Sequence, residues 1–106
     1  MDNPLDFSGK AVIVTGGGKG IGRGISECFL DAGAQVLICG RSTPDSLPRG
    51  GDREALFTPC DVRDYAQIEA CVDFALKRFG RLDILVNNAG GAPYAEDRKS
   101  VCRERV

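Results

Sequence analysis

Eight residues, Thr15 to Gly22, read TGGGKGIG and directly follow the apolar run at 11–14. A strand that ends in glycines and turns straight into a helix leaves unpaired backbone N–H groups at the helix N-terminus, where the helix dipole favours an anion. Glycine suits these positions because a Cβ would hold a phosphate away from the backbone. The segment therefore predicts a cradle for the phosphates of a dinucleotide, although glycines alone would also suit a flexible turn.

The spacing of the glycines separates this segment from two better-known phosphate-binding motifs. Gly16, Gly20 and Gly22 follow the pattern G-x-x-x-G-x-G, and no register gives the G-x-G-x-x-G of the commoner Rossmann fingerprint. A P-loop is excluded because Lys19 is followed by glycine rather than by Ser or Thr.

At this spacing, with Thr15 first and Ile21 between the last two glycines, the segment resembles the coenzyme-binding motif of the short-chain dehydrogenase/reductase family. The resemblance recurs at Asp61-Val62 and at 87–90, which reads Asn-Asn-Ala-Gly, in the family's order and approximate spacing. It implies a Rossmann-type fold, a nicotinamide dinucleotide cofactor and hydride transfer to or from a carbonyl or alcohol carbon of a small-molecule substrate.

Apolar runs predict four strands around these motifs. They lie at 10–15, 35–39, 55–57 and 84–86, and the third continues towards Asp61. Residues 41–52 are rich in Pro, Ser and Gly, so the helix expected between the second and third strands is short or absent. Alternating strands and helices predict an α/β fold with a doubly wound parallel sheet, in which ligands bind at the carboxyl ends of the strands. Every motif above lies at such an end.

Two helices are predicted from apolar residues at helical spacing, and we expect those residues to pack in the core. Gly33 ends the first helix, Asp64 and Gln67 resemble a capping box that begins the second, and Gly80 ends it. The expected apolar faces are Ile21, Ile25, Cys28, Phe29 and Ala32 in the first helix, and Ile68, Cys71, Val72, Ala75, Leu76 and Phe79 in the second.

Composition describes one ordinary globular domain. The 106 residues are 42% hydrophobic and 27% charged with a net charge of −1, which gives no electrostatic case for a nucleic-acid or membrane partner. No apolar stretch approaches a membrane span and the first residues do not form a signal peptide, so we expect a cytoplasmic location. The five cysteines lack C-x-x-C spacing and the chain has no histidine. We therefore expect no metal site, and buried packing for Cys28, Cys39, Cys60 and Cys71.

Lys19 and Arg41 distinguish between the two nicotinamide dinucleotides. The second strand ends Cys39-Gly40-Arg41, without the acid that binds the ribose 2′-hydroxyl in NAD sites. Gly40 stands where the family's NAD enzymes have Asp, and in the family basic residues at positions such as 19 and 41 imply NADP(H) rather than NAD(H). The alternative for each cation is a solvated surface position.

The family resemblance assigns further residues to the cofactor. It implies that the Asp61 carboxylate accepts from the adenine amino group and that the Val62 backbone N–H meets the ring, whereas a plain turn before a helix is the alternative. Asn87 mainly fixes the central sheet, and residues 91–94 face the substrate side. The cofactor-binding residues predicted in this way are Thr15, Gly16, Gly18, Lys19, Gly20, Ile21, Gly22, Arg41, Asp61, Val62, Asn88, Ala89 and Gly90.

No catalytic residue is predicted in this chain. The family's chemistry uses a Tyr as general acid/base, a Lys four residues later and a Ser, but the only tyrosines, Tyr65 and Tyr94, are followed at that distance by Glu69 and Arg98. We therefore expect the cofactor-binding portion of an NADP(H)-dependent reductase, inactive alone, whose parent forms a homo-oligomer. The alternative is a stand-alone NADP(H)-binding or regulatory module without catalysis.

The composition changes abruptly near residue 95. Residues 1–95 are expected to form the N-terminal part of a Rossmann domain truncated after about four strands, and 96–106 a disordered or artefactual tail. One back-translation of 97–106 resembles a synthetic sequencing adapter with one base deleted, which predicts a read-through artefact; a natural frameshift or short splice form is the alternative. Ending here would leave 84–86 as an unpaired apolar edge, which predicts a marginally stable or aggregating product.

Overall fold

A parallel sheet with one helix on each face forms the described part of the chain, which is residues 6–88 of a computed structural model. Neither of its helices is long and apolar enough to cross a membrane. The elements in chain order are β1 (Ala11–Thr15), α1 (Gly20–Asp31), β2 (Gln35–Gly40), β3 (Arg49–Gly50), β4 (Arg53–Glu54), β5 (Leu56–Pro59), α2 (Tyr65–Phe79) and β6 (Ile84–Asn87).

The main sheet has the strand order β5-β2-β1-β6, and all three pairings are parallel. β1 lies between β2 and β6, and residues 11–14 are at most 1% exposed, which explains why this strand is a continuous apolar run. Because the strands run in one direction, the loops that follow β1, β2 and β5 gather at one edge of the sheet, where β6 also ends. The predicted parallel α/β fold is confirmed, and the described residues of the three sequence motifs lie at or near this edge.

Alternate residues of each strand face opposite layers of the core. Val12 and Val36 pack with Leu30 on the side of α1, whereas Ile13 and Leu37 pack on the side of α2. One helix therefore covers each face, as the doubly wound arrangement requires.

The buried face of α1 differs from the predicted one. Gly22, Ser26 and Leu30 are its buried residues, whereas Ile21 is 78% exposed and Cys28 is exposed. Small residues spaced four apart let the helix approach the sheet closely, and the buried Ser26 hydroxyl donates to the carbonyls of the helix and the preceding loop. The expectation that Ile21 and Cys28 are core residues was wrong, because apolar periodicity does not detect a face built from glycine and serine.

The ends of α2 follow the predicted signals. Asp64 accepts from the Ala66 backbone N–H at 3.0 Å, and Gly80 adopts a left-handed φ of 80° directly after the helix. Gln67 donates to the Asp64 carboxylate but accepts from the Asp61 N–H instead of the Asp64 N–H, so Asp64 caps the helix as expected but the reciprocal capping box does not form. Cys71 and Ala75 are buried as expected, but Leu76 is 45% exposed and was wrongly placed in the core.

No helix forms between β2 and β5, as the composition of residues 41–52 predicts. The antiparallel ribbon of β3 and β4 occupies this segment instead, and the sequence did not indicate it. The ribbon lies close against α1, because a Cβ on Gly50 would be 2.6 Å from the Glu27 carbonyl oxygen. Only glycine allows this contact.

Candidate cofactor-binding site

A cleft of about 670 Å³ opens at the carboxyl edge of the sheet. The loop after β1, the long segment after β2 and the turn after β5 form its walls. The lining residues are Gly16, Gly18, Lys19, Arg23, Cys39, Gly40, Arg41, Ser42, Thr43, Pro44, Asp45, Ser46, Phe57, Cys60, Asp61, Val62 and Arg63.

The glycine loop between β1 and α1 depends on glycine for two different reasons. Gly16 and Gly20 have left-handed φ angles of 65° and 61°, which residues with a Cβ rarely adopt. Gly22 is in the helix, but a Cβ there would lie 2.1 Å from the Gly16 carbonyl oxygen. The loop therefore folds back tightly and directs the start of α1 at the cleft.

The N-terminus of α1 is suited to an anion. Its N-cap residue, Lys19, has an extended backbone and makes no side-chain capping hydrogen bond, and the first turn contains no acid. The positive end of the helix dipole and the Lys19 side chain therefore act in the same direction at the cleft wall.

Thr15 and the two asparagines brace this loop against β6. The Thr15 hydroxyl lies 3.2 Å from Asn87 Oδ1 and 3.3 Å from the Val86 carbonyl oxygen, and it accepts from the Asn88 backbone N–H at 2.8 Å. The Asn88 side chain also donates to the Gly16 carbonyl at 3.4 Å. These contacts place Thr15 and Asn88 behind the loop rather than on the cleft wall.

Arg23 is a cleft residue that the sequence analysis missed. Its guanidinium donates to the Gly18 carbonyl at 3.2 Å and to the Ser46 carbonyl at 2.9 Å, so it ties the glycine loop to the segment after β2. The available signal was its position one helical turn after Lys19, which places both cations on one side of α1. Ser42, Thr43 and Ser46 were also missed, and a run of hydroxyl side chains directly after Arg41 was their signal.

Asp61 forms a tight pair with Arg63 at the opposite wall. Arg63 donates through Nε to Oδ1 at 3.1 Å and through Nη2 to Oδ2 at 3.0 Å, and its backbone N–H also bonds Oδ1. These hydrogen bonds, with a smaller contribution from the charge of Arg41, lower the pKa of Asp61 to about 2. The carboxylate is therefore ionised at neutral pH, and Gln67 holds its backbone through the Asp61 N–H.

The structure brings only part of the predicted set to the cleft. Ile21 is exposed, and Gly22 is buried against the loop. Ala89, Gly90 and residues 91–94 lie outside the described residues. The predicted residues that line the cleft are Gly16, Gly18, Lys19, Arg41, Asp61 and Val62, whereas Thr15, Gly20, Ile21, Gly22 and Asn88 are not among its lining residues.

Comparison with known protein families identifies the family of this chain. A family model described as short chain dehydrogenase matches residues 10–105. The chain belongs to the short-chain dehydrogenase family. This membership shows that the described sheet is the N-terminal, dinucleotide-binding region of a family of oxidoreductases, and it confirms the resemblance read from the three motifs.

Curated members of the short-chain dehydrogenase family are similar along most of this chain. L-fucose dehydrogenase from Bos taurus is 46% identical over 90 residues, which are 82% of this chain and 33% of that protein. Xanthoxin dehydrogenase from Arabidopsis thaliana is 46% identical over 99 residues, which are 85% of this chain and 35% of that protein. The chain spans about a third of the length of these relatives.

Solved structures of the family share the fold. A hydroxysteroid dehydrogenase from Escherichia coli has a TM-score of 0.72 at 33% identity, over 94% of this chain and 45% of that one. Levodione reductase has a TM-score of 0.69 at 32% identity, over 90% of this chain and 43% of that one. This member of the short-chain dehydrogenase family therefore has the family's Rossmann-type sheet.

Proposed function

We propose that this chain is the NADP(H)-binding portion of a short-chain oxidoreductase. The observation that carries the proposal is that Lys19 and Arg41 both line the cleft, at the point where β2 ends in Gly40 rather than in an acid. A ribose 2′-phosphate requires cations at this position, whereas a 2′-hydroxyl is bound by a carboxylate.

The charges along the cleft support this choice of cofactor. Asp61 is paired with Arg63, and Arg23 is bonded to the loops and to Glu27. Neither Lys19 nor Arg41 forms an ion pair with a described residue. These two cations therefore remain available for a phosphate in the cleft.

The cofactor chemistry agrees with the residues that would hold it. The glycine loop and the start of α1 offer backbone N–H groups to the pyrophosphate, and Lys19 and Arg41 offer charge to the 2′-phosphate. Asp61 and Val62 line the same cleft, and we assign them to the adenine. NADP(H), when bound, supplies or accepts a hydride; these residues bind and orient it.

We also propose that the 106 residues bind the cofactor without transferring hydride. The sequence contains no Tyr-x-x-x-Lys, and Tyr65 begins α2 with 73% of its surface exposed, away from the cleft lining. From the family we also propose a small-molecule carbonyl or alcohol substrate and homo-oligomer formation for a longer parent protein. The cytoplasmic location is a proposal from the sequence.

Replacement of one cleft cation tests the cofactor preference. In Arg41→Asp we expect NADP⁺ binding to weaken roughly 10- to 150-fold, because a charge-assisted contact of about 1.5–3 kcal/mol is lost. Binding of NAD⁺ should be unchanged or stronger. Isothermal titration calorimetry with both dinucleotides measures the difference.

Arg53→Asp is the matched control, because Arg53 is exposed on β4 and does not line the cleft. It makes the same change in net charge and should leave both affinities unchanged. Equal NADP⁺ affinities in the parent chain and in Arg41→Asp would contradict the proposed preference.

The alternative of a stand-alone NADP(H)-binding module is favoured by one observation. Among residues 6–88, those that line the cleft all lie between Gly16 and Arg63, within one small sheet and its loops. Such a module should bind NADPH with micromolar affinity or better and show no turnover with any carbonyl substrate. Weak NADPH binding by the isolated 106 residues would instead favour the first proposal, in which the chain is a portion of an enzyme.

A further inference from the structure

Three thiols meet in the core directly beneath the candidate cofactor cleft. Cys39 is the penultimate residue of β2, Cys60 directly follows β5, and Cys71 is on α2. Their Sγ atoms all lie within 4.8 Å of one another, and the three residues are 2%, 3% and 5% exposed. All three are free thiols. In the sequence, 20 residues lie between Cys39 and Cys60, and 10 residues lie between Cys60 and Cys71.

Strand register explains how the sheet brings these cysteines together. Cys39 pairs with Thr58 across the parallel β2–β5 ladder, so Cys60 lies two residues further on the same face. α2 covers this face and places Cys71 above both, with the small Ala75 one turn later. The arrangement is part of the packed core, and the Cys60 backbone N–H donates to the Gly40 carbonyl at 2.9 Å, which holds Cys60 beside the end of β2.

The three side chains already interact with one another. A hydrogen bond between Cys39 and Cys71, together with burial, raises the pKa of the Cys39 thiol. The same hydrogen bond lowers the pKa of Cys71. Independently of these shifts, the three Sγ atoms lie within 4.8 Å of one another, so one ion can contact all three.

We propose that Cys39, Cys60 and Cys71 form a binding site for a soft, thiophilic metal ion, with Cu(I) as the ion that the donor set favours. Sulfur ligands select soft ions such as Cu(I) and zinc. Three sulfurs at about 2.3 Å from a central ion lie about 4.0 Å apart in a trigonal arrangement. This separation is compatible with the three Sγ atoms, which lie within 4.8 Å of one another.

The number of ligands argues against zinc. Structural zinc sites are almost always four-coordinate, but no fourth Cys, Asp or Glu among the described residues joins this group, and the chain contains no histidine. Cu(I) accepts three sulfur ligands without a fourth.

Metal entry and charge are two further requirements of the site. Cys39 and Cys60 line the cleft although both are almost fully buried, so the cluster lies directly below the cleft surface. On binding, the ion replaces the thiol protons, which leave to solvent, and no atom changes its oxidation state. The charge of Cu(I) offsets one of the three thiolate charges, which lowers but does not remove the cost of burying them.

An anaerobic titration with Cu(I) against a chromophoric Cu(I) chelator tests the site. The full chain and a Cys28→Ser/Cys102→Ser double variant should each bind one Cu(I), because Cys28 is exposed outside the cluster. Adding Cys39→Ser or Cys71→Ala to that background should weaken binding at least 100-fold. Copper X-ray absorption should show three sulfur neighbours, and Zn(II) should bind more weakly in the matching competition.

Two measurements keep the result independent of folding. Circular dichroism shows whether each variant keeps its helices, and the urea-unfolded double variant, which has the same three thiols, should bind Cu(I) more weakly than the folded one. The proposal would be overturned if the Cys28→Ser/Cys102→Ser variant failed to bind Cu(I). It would also be overturned if the folded and unfolded chains bound Cu(I) equally, or if only two sulfurs coordinated the copper. The test requires no dinucleotide, so its outcome is separate from that of the proposed function.

Discussion

Individual glycines in the β1–α1 segment have different roles that their shared residue type does not reveal. Gly16 and Gly20 are required by their left-handed backbone, whereas Gly22 is required by contact. Gly24, one turn into the same helix, has open space where a Cβ would be. Neighbouring glycines in one helix are therefore expected to respond oppositely to the same substitution.

Gly22→Ala should destabilise the chain by about 1–3 kcal/mol, because its Cβ would lie 2.1 Å from the Gly16 carbonyl oxygen and must displace the loop. Gly24→Ala is the control and should stabilise the helix by about 0.5–1 kcal/mol. Urea unfolding of the two variants measures both changes. Equal unfolding midpoints would show that the loop is not closely packed against α1.

The ionisation of Asp61 depends on one neighbouring residue, Arg63. Arg63 holds its pKa at about 2, below the ordinary value of 3.8. A carboxyl with a lowered folded-state pKa stabilises the fold above its unfolded pKa, and this contribution is lost as the pH falls from about 4 towards 2. The pair is exposed at the cleft wall, so solvent screening keeps its contribution small.

Arg63→Gln should raise the pKa of Asp61 towards 3.8, because both side-chain hydrogen bonds and the positive charge are lost while the backbone bond remains. The pKa of Asp61 is measured from its carboxyl carbon chemical shift in an NMR pH titration. Arg81→Gln is the control, since Arg81 pairs with Asp83, whose pKa is also about 2, and it should leave Asp61 unchanged. An unshifted Asp61 in Arg63→Gln would refute the assigned cause.

The two helices begin in chemically opposite ways. α2 is capped by the Asp64 carboxylate, whereas α1 begins at Lys19 without a side-chain cap. A capping carboxylate satisfies backbone donors and occupies the positive end of the dipole. Of the two helices in the described part of the chain, only α1 presents its N-terminus to an external anion.

Asp64→Ala should lower the free energy of unfolding by about 0.5–2 kcal/mol, because the hydrogen bond to the Ala66 N–H is lost. Asp73→Ala makes the same chemical change at an exposed position inside α2 and should be neutral or slightly stabilising, since alanine has the higher helix propensity. Thermal unfolding followed by circular dichroism compares them. A similar loss in both variants would mean that capping is not the cause.

At the scale of the whole sheet, the pairing of the strands is uneven. β1 and β2 have partners on both sides, whereas β6 pairs with β1 alone within residues 6–88. Val86 in β6 is buried, but Ile84 and Leu85 are only partly covered. A strand edge with partly covered apolar side chains is a template for pairing with another chain.

We therefore expect the purified 106-residue chain to self-associate as its concentration rises. Sedimentation velocity at several concentrations measures this directly, and a saturating concentration of NADP⁺ should stabilise the folded chain without removing the association. A monomer at all concentrations, with cooperative unfolding, would contradict the expectation.

Much of the fold and part of the site followed from local pattern. The glycine loop, the four long strands and the cap at Asp64 were predicted because turn chemistry and apolar runs act over a few residues. The exposure of Ile21 and the role of Arg23 were not predicted, because they depend on which face of α1 meets the sheet. That face contains glycine and serine, which carry no hydrophobic signal.

The sequence by itself determined the family, the parallel sheet and the position of the glycine loop between β1 and α1, since each is encoded in contiguous residues. Only the tertiary structure decided which of the predicted residues line one cleft and brought Cys39, Cys60 and Cys71 within 4.8 Å. The physical reason is that strand register and the crossing of α2 set distances between residues far apart in the chain, and no local spacing records them.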